Sequence, residues 1–268
     1  MKKLKEHLKR FVQSFRLDSR FLWVVLIDLL LVIFITSITN FLGSYLIKKS
    51  DLITPLAQLN TNIPNEQMQA YLGQMQGFII LFVFGIIAYV VLVFLAWTVA
   101  QAEIWSIINK KNSDLKYFKK ALLTNLLVII PYLVITLILS FLTGALAAAF
   151  SVIVSKLSFN IYAISYVLII ILALLIISPL VLFVINSLNL IYYNLSIKRK
   201  IIKAISKMFS QLKLRHYIPY VLMSVVLMLV LLISFIFSGM AHTIIYIILI
   251  VLFFAWMRFY LKSLVEQK

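Results

Sequence analysis

The sequence predicts an all-α membrane protein, a polytopic bundle of six transmembrane helices with amphipathic helices at the cytoplasmic surface. Three observations predict this fold class. The composition is too apolar for a soluble domain, six apolar stretches have the length of a membrane span, and Lys and Arg gather in alternate connections. Together they predict a multi-pass protein of the cell membrane.

The composition excludes several classes of protein. Hydrophobic residues make up 64% of the 268 residues and charged residues only 12%, whereas soluble domains are roughly half apolar and about a quarter charged. Cysteine is absent, which excludes disulfides, thiolate metal sites and cysteine nucleophiles. The net charge of +17 comes without a nucleic-acid-binding motif. We therefore predict that the charge serves the membrane surface and that nucleic acid is not a partner.

Each apolar stretch can cross about 30 Å of hydrocarbon at about 1.5 Å per residue. The stretches are continuously apolar, as in helices, whereas a membrane β-strand would alternate apolar and polar residues. They cover residues 21–47, 78–100, 131–154, 161–183, 219–237 and 243–261. We predict one transmembrane domain over residues 21–268, preceded by a basic amphipathic helix over residues 1–20.

The distribution of positive charge predicts the orientation. Of the 25 Lys and Arg residues, 22 precede the first span, lie between spans two and three or four and five, or lie at the end of the last span and beyond it. The exceptions are Lys48, Lys49 and Lys156. The positive-inside rule then places both termini in the cytoplasm. The first span is too long for a signal-peptide core and no A-x-A-like site follows it, so we expect an uncleaved anchor.

Three cytoplasmic segments have the apolar spacing of amphipathic helices. They are residues 1–20, 112–127 and 198–215. In the last of them Ile201, Ile205, Met208 and Phe209 share one helical face. The second opens with the N-cap types Asn112, Ser113 and Asp114. We call the three predicted helices elbow helices.

Each elbow helix precedes a pair of spans, which predicts three parallel repeats. The second and third pairs open on Ile130-Pro131-Tyr132 and Ile218-Pro219-Tyr220. Because proline suits the first turn of a helix, we predict that a new helix begins at each of these prolines.

The elbow helices have two interpretations. They either cap the bundle at the level of the lipid headgroups, or they form a cationic collar for anionic lipids, with about 1 kcal/mol of attraction for each Lys or Arg near the surface. The candidate headgroup-binding residues are Lys9, Arg10, Lys119, Lys120, Lys203 and Lys207.

Polar residues within the spans form a second candidate site. Asp28 lies about seven residues into the first span, and an ionisable group at that depth costs at least about 2.5 kcal/mol when unpaired. At a similar inner depth we expect Gln101, Glu103, Asn186 and Asn189. The five side chains are predicted either to form a polar cluster for a headgroup, an ion or a proton, or to bond neighbouring helices together.

No pattern predicts an enzyme, a metal site or a cofactor. His7, His216 and His242 are isolated, and no nucleophile, zinc or phosphate-loop motif occurs. The outer loop over residues 48–77 carries apolar residues at helical spacing, including Met68, Tyr71 and Met75, which predicts a short helix over the mouth of the bundle.

Part of the sequence resembles a known group of membrane domains. The stretch from Ser178-Pro179 to Phe183, the elbow over residues 201–212, and Pro219-Tyr220 with its apolar run resemble the six-span membrane domain of some glycerophosphoryl diester phosphodiesterases and related bacterial and archaeal families. The resemblance implies a six-span fold. It implies no catalysis, because the catalytic barrel of such proteins is a separate domain.

The sequence thus leads to two functional expectations. The first is a non-enzymatic membrane protein that engages anionic lipids or partner proteins through its basic cytoplasmic face. The alternative is a transporter or permease subunit that uses the polar residues around Asp28.

Overall fold

The regular elements of the computed structural model are all helices within the residues that it describes. Those residues are 11–14, 18–50, 65–154, 179, 181–197, 200–211, 217–234 and 237–266. The helices are α1 (Ser19–Ser50), α2 (Asn65–Ile108), α3 (Leu115–Val154), α4 (Val181–Ile197), α5 (Ile201–Gln211), α6 (Tyr217–Ser234) and α7 (Gly239–Val265). The predicted all-α class is confirmed over these ranges.

Four helices within the described part of the chain are long and apolar enough to cross a membrane. The qualifying stretches are Ser19–Lys48, Met75–Ile108, Leu115–Ile135 and Gly239–Val265. Two shorter apolar helices, Val181–Ile197 and Ile218–Ser234, accompany them. The predicted fourth span, residues 161–183, lies almost entirely outside the described residues. The membrane character of the chain is therefore supported, and the count of six spans stays a prediction.

The predicted break at Pro131 is wrong. Helix α3 runs from Leu115 to Val154 with Pro131 inside it, so the second elbow and the third span share one helix. Proline lacks the N–H that would bond the Leu127 carbonyl, but neighbouring helices and local adjustments compensate for such losses in membrane helices. Pro219, in contrast, lies in the first turn of α6.

The chain divides into two compact units. The hairpin unit is Asp28–Ala100, and the core unit comprises Met1–Ile27 and Gln101–Lys268. Within the hairpin unit the hydroxyl groups of Thr39 and Tyr89 lie 2.9 Å apart and link α1 to α2. Most of the described apolar side chains of this unit are exposed, as expected for helices that face lipid.

The buried residues of the core unit concentrate toward one end of its helices. In α7 the buried side chains begin at Val251 and continue to Leu264, whereas residues 239–250 are exposed or half-buried. Trp105 near the end of α2 and Tyr192 near the end of α4 are among the largest fully buried side chains. The tightest packing therefore surrounds the ends of α2, α4 and α7.

Candidate functional site

Helix α5 is amphipathic, and most of its predicted apolar face packs against the protein. Met208 is buried and Ile201 and Ile205 are half-buried, whereas Phe209, which we placed on the same face, exposes 69% of its surface. Ala204 and Gln211 are also buried. Ile202 exposes 84%. A helix with one packed face and exposed apolar residues beside lysines is typical of a membrane interface.

A groove of about 630 Å³ lies between α3 and the beginning of α5. Leu123 and Leu127 of α3, with Ile201 and Ile202 of α5, supply its apolar lining. Three lysines, Lys120, Lys200 and Lys203, complete the lining with the apolar parts of their side chains. None of the described lining residues is acidic. We call this feature the lysine groove.

The lysine groove contains two of the predicted headgroup-binding residues and one that the sequence analysis missed. Lys120 and Lys203 were predicted from the elbow pattern, and the structure brings them to one site. Lys200 was missed, although it directly precedes α5 and lies only three residues before Lys203. Lys119 and Lys207 are exposed on the same two helices but do not line the groove. Lys9 and Arg10 lie outside the described residues.

The N-terminal end of α5 adds to the positive potential of the groove, and Lys200 marks this end. Its carbonyl accepts the first hydrogen bond of α5, from the Ala204 N–H at 2.9 Å. The groove therefore adjoins the N-terminal end of α5, where the helix dipole is positive.

Other cations of the basic face stabilise helix ends. The Arg20 guanidinium and the Lys262 ammonium donate to the carbonyl of Ile108, the last residue of α2, at 3.1 and 2.7 Å. Lys111 donates to the carbonyls of Ser196 and Ile197 at the end of α4, each at 3.2 Å. Cations are favourable there because the C-terminal end of a helix carries partial negative charge. Part of the predicted lipid-facing charge thus serves the fold.

Asp18 holds one of these cations in place. Its carboxylate accepts a hydrogen bond from Arg20 Nε at 2.6 Å, and this bond lowers the pKa of the Asp18 carboxyl below its ordinary value. The interaction is therefore present above the ordinary pKa of Asp and weakens as the pH falls through the lowered value.

The first elbow segment contacts α7 through aromatic rings. The Phe11 ring meets Trp256 and Tyr260 edge-on, with ring centroids 5.6 and 5.8 Å apart. The indole N–H of Trp256 also donates to the Ser14 hydroxyl at 2.9 Å. Within the core unit, residues 11–14 therefore pack against α7.

The predicted intramembrane cluster is divided between the two units. Asp28 is buried in α1 and belongs to the hairpin unit, while Gln101, Asn186 and Asn189 are buried in the core unit. Glu103, also in the core unit, is only half-buried. A single cluster of all five residues stays a prediction.

Within the core unit, the ends of α2 and α4 run parallel. The rings of Trp105 and Tyr193 pack edge-on at 5.8 Å, and Asn109 Nδ2 donates to the Ser196 hydroxyl at 2.5 Å. Extending this register back by one turn places Gln101 at the level of Asn189. The structure thus brings two of the predicted polar residues to one depth.

Helix α4 makes hydrogen bonds to its neighbours, and of these only a bond from Asn186 to another helix was among the predicted alternatives. The Tyr192 hydroxyl donates to Asn125 of α3 at 2.5 Å, and Asn194 Nδ2 donates to Gln211 of α5 at 2.6 Å. Two further bonds join Asn186 to Met223 of α6, at 3.3 Å, and Ser187 to Tyr132 of α3. Helix α4 therefore anchors three neighbouring helices through buried polar side chains, in the manner of interhelical bonds in membranes.

Two of the predicted cluster residues keep a polar atom without a partner. Gln101 Nε2 and Asn186 Oδ1 are buried and make no hydrogen bond within the described part of the chain. Such groups are costly in a low-dielectric interior. They are the strongest sign of a polar site inside the bundle.

The histidines do not form a metal site within the described ranges. No group of three or more His, Cys, Asp or Glu side chains there is placed to hold a metal ion. His242 Nδ1 lies 2.6 Å from the Ser234 carbonyl and so links the end of α6 to α7, while His7 and His216 lie outside the described residues.

No family model, no curated protein sequence and no solved structure matches this chain. The resemblance to phosphodiesterase membrane domains therefore stays a prediction. Function has to be argued from the lysine groove and the buried polar residues.

Proposed function

We propose that the protein is a non-enzymatic, six-span component of the cell membrane that engages anionic lipids at its cytoplasmic surface. The observation that carries the proposal is the lysine groove, where Lys120, Lys200 and Lys203 border an apolar lining. A ligand that suits both parts is amphipathic and negatively charged. Anionic lipids have this character, and each nearby Lys contributes about 1 kcal/mol of attraction to them.

The surroundings of the groove support a position at the membrane interface. Ile202 lines the groove and exposes 84% of its surface, which is costly in water but favourable against lipid. The distribution of Lys and Arg favours a cytoplasmic location for this end of the molecule, with both termini on the same side. The groove would then face the leaflet that is richest in anionic lipid.

The predicted repeat of an elbow helix and a helical hairpin has partial support in its third copy. Helix α5 is an amphipathic helix of 11 residues, and α6 and α7, which follow it, pack against each other. This is the predicted order of elbow and hairpin. The second copy of the repeat differs, because α3 passes through Pro131 without a break and joins the elbow helix to the span.

Removing the three groove lysines tests the proposal. We expect the triple variant Lys120→Gln, Lys200→Gln, Lys203→Gln to lose at least about tenfold in affinity for anionic lipid, since each lysine contributes about 1 kcal/mol. The measurement is energy transfer from the native tryptophans to dansyl-labelled phosphatidylglycerol in nanodiscs, competed with unlabelled phosphatidylglycerol or phosphatidylcholine.

The matched control is the variant Lys116→Gln, Lys119→Gln, Lys207→Gln. It removes the same charge from exposed positions of the same two helices and should lose clearly less affinity than the groove variant, because these lysines act only through the salt-screened surface potential and do not line the groove. An equal loss of lipid affinity in the two variants would mean that the groove is not a specific site and that anionic lipid binds the basic surface as a whole. A wild type without any preference for anionic lipid would overturn the proposal and leave protein partners as the alternative.

Transport is the second candidate, supported by the buried polar residues. Asp28 is buried inside α1, and Gln101 and Asn186 each keep a buried polar atom that has no partner among the described residues. A transporter has to admit water to such groups, whereas a lipid-engaging protein keeps them packed. Labelling of Asn186→Cys by a water-soluble maleimide in membranes would favour transport, and full protection would favour the first proposal.

A further inference from the structure

We infer that the lysine groove is a site for one lipid whose headgroup ends in a phosphate monoester, as in phosphatidic acid. The phosphate would lie among Lys120, Lys200 and Lys203, and an acyl chain would lie along Leu123 and Leu127. The inference rests on the proposed function and specifies which anionic lipid the groove selects.

The order of residues along α3 matches the polarity of a lipid. Lys120, Leu123 and Leu127 have the spacing i, i+3 and i+7, so they follow one face of the helix. With α3 entering the membrane from the cytoplasm, Leu127 lies about 10 Å deeper than Lys120, at about 1.5 Å per residue. The cation is therefore at the headgroup level, and the leucines follow at the depth of the acyl chain.

The charge of the groove favours a phosphate monoester over a diester. Three lysines line it, and no described lining residue is acidic. A phosphodiester headgroup carries one negative charge, whereas a phosphate monoester carries about 1.5 to 2 at pH 7 and exposes three acceptor oxygens. Lysine ammonium groups donate in several directions and bind phosphate as point charges. The monoester thus matches the charge of the three lysines, whose flexible side chains would bring their ammonium groups to the phosphate.

The size of the groove favours a small ligand over a macromolecular partner. Its volume of about 630 Å³ falls within the roughly 300–1,000 Å³ that is usual for small-molecule sites. An acidic peptide segment is the alternative occupant, but it would leave Leu123 and Leu127 without an apolar group to contact.

A direct competition tests the inference. Detergent-solubilised protein is offered phosphatidic acid and phosphatidylglycerol of identical acyl chains, and native mass spectrometry counts the bound lipids. We expect the wild type to prefer phosphatidic acid by about fivefold at pH 7.5 and to lose most of that preference at pH 5, because the second pKa of a phosphate monoester is about 6. Binding of phosphatidylglycerol should not change between these pH values.

Groove variants locate the site. The variant Lys120→Gln, Lys200→Gln, Lys203→Gln should lose the preference, and Lys116→Gln, Lys119→Gln, Lys207→Gln should retain it. The variant Leu123→Ala, Leu127→Ala should bind phosphatidic acid more weakly by roughly fivefold or more, since the acyl chain loses part of its apolar contact with α3. Both leucines are half or more exposed, so their replacement should leave the unfolding temperature unchanged.

The outcomes separate the inference from the proposed function. Equal binding of the two lipids, with loss in the groove variant, would overturn the inference and leave the proposed function intact. Retention of the preference in the groove variant would place the site elsewhere and also overturn it. Displacement of lipid by inorganic phosphate, with no effect of the leucine variant, would indicate a free-phosphate site. Absence of anionic-lipid binding in the wild type would overturn both proposals.

Discussion

Replacing Trp105 by Ala is expected to lower the free energy of unfolding by about 3–5 kcal/mol. Trp105 is fully buried near the end of α2 and packs edge-on against Tyr193 of α4, with ring centroids 5.8 Å apart. Its removal would leave a cavity where the two helices meet, and the neighbouring hydrogen bond from Asn109 to Ser196 would lose its support. Thermal and denaturant unfolding in detergent, followed by near-UV circular dichroism, measures the effect.

Trp23→Ala is the matched control for Trp105→Ala. Trp23 belongs to the same core unit but exposes 59% of its surface on α1. Its replacement removes the same side chain without opening a cavity and should change the free energy of unfolding by less than about 0.5 kcal/mol. Equal losses for the two tryptophans would contradict the packing of α2 against α4.

Replacing Gln211 by Leu is expected to cost about 1–3 kcal/mol, because one buried N–H of the Asn194 amide would lose its acceptor while the other still donates to the Leu190 carbonyl. Asn194 Nδ2 donates to Gln211 Oε1 at 2.6 Å, and both residues are buried. This bond fixes the end of α5 to α4. The groove lies at the other end of α5, so we also expect the affinity for anionic lipid to fall, although Gln211 does not line the groove.

A double-mutant cycle isolates this bond. Asn194→Leu alone should destabilise by a similar amount, and the double variant Asn194→Leu, Gln211→Leu should be more stable than the sum of the single losses predicts, since no polar group then stays unpaired. Additive losses, or lipid affinity unchanged in Gln211→Leu, would contradict the role of this pair in holding α5.

Local signals predicted the long apolar helices and one cap, but the predicted short helix that includes Met68 and Met75 is the beginning of α2, which runs without a break from Asn65 to Ile108. Asp114, predicted as an N-cap type, accepts a hydrogen bond from the Tyr117 N–H at 2.6 Å at the start of α3, because this bond involves only neighbouring residues. The apolar runs likewise predicted the long helices, since in lipid the backbone has to satisfy its own hydrogen bonds. The same requirement explains why α3 continues through Pro131, where the local preference of proline predicted a new start.

The buried face of α5 could not be derived from periodicity alone. In a soluble protein the apolar face of a helix is the packed face, but a helix at the membrane surface has apolar surroundings on two sides. Ala204 and Gln211 face the protein, while Phe209 is exposed. An apolar side chain such as Phe209 is favourable against either protein or lipid, so the sequence pattern could not show which of the two it contacts.

The sequence predicted which types of residue the candidate sites contain, but not which of these residues contact one another. The elbow pattern indicated Lys120 and Lys203, yet only the three-dimensional arrangement joins them to Lys200. The basic composition also did not reveal that Lys111 and Lys262 bond the ends of helices. Likewise, the bond between Asn194 and Gln211 depends on how α4 meets α5. Such pairings depend on tertiary contacts that no local sequence rule contains.

The side of the membrane on which each loop lies is the most direct test, because a groove for cytoplasmic anionic lipid requires α3 and α5 to begin at that surface. The chain has no cysteine, so single-cysteine variants at Lys48, Lys119, Lys207 and Glu266 each report one position to a membrane-impermeant maleimide. We predict that the cysteine at position 48 is labelled in intact cells and that those at 119, 207 and 266 are labelled only after permeabilisation. Labelling of positions 48 and 119 from the same side, or of 207 in intact cells, would contradict the account.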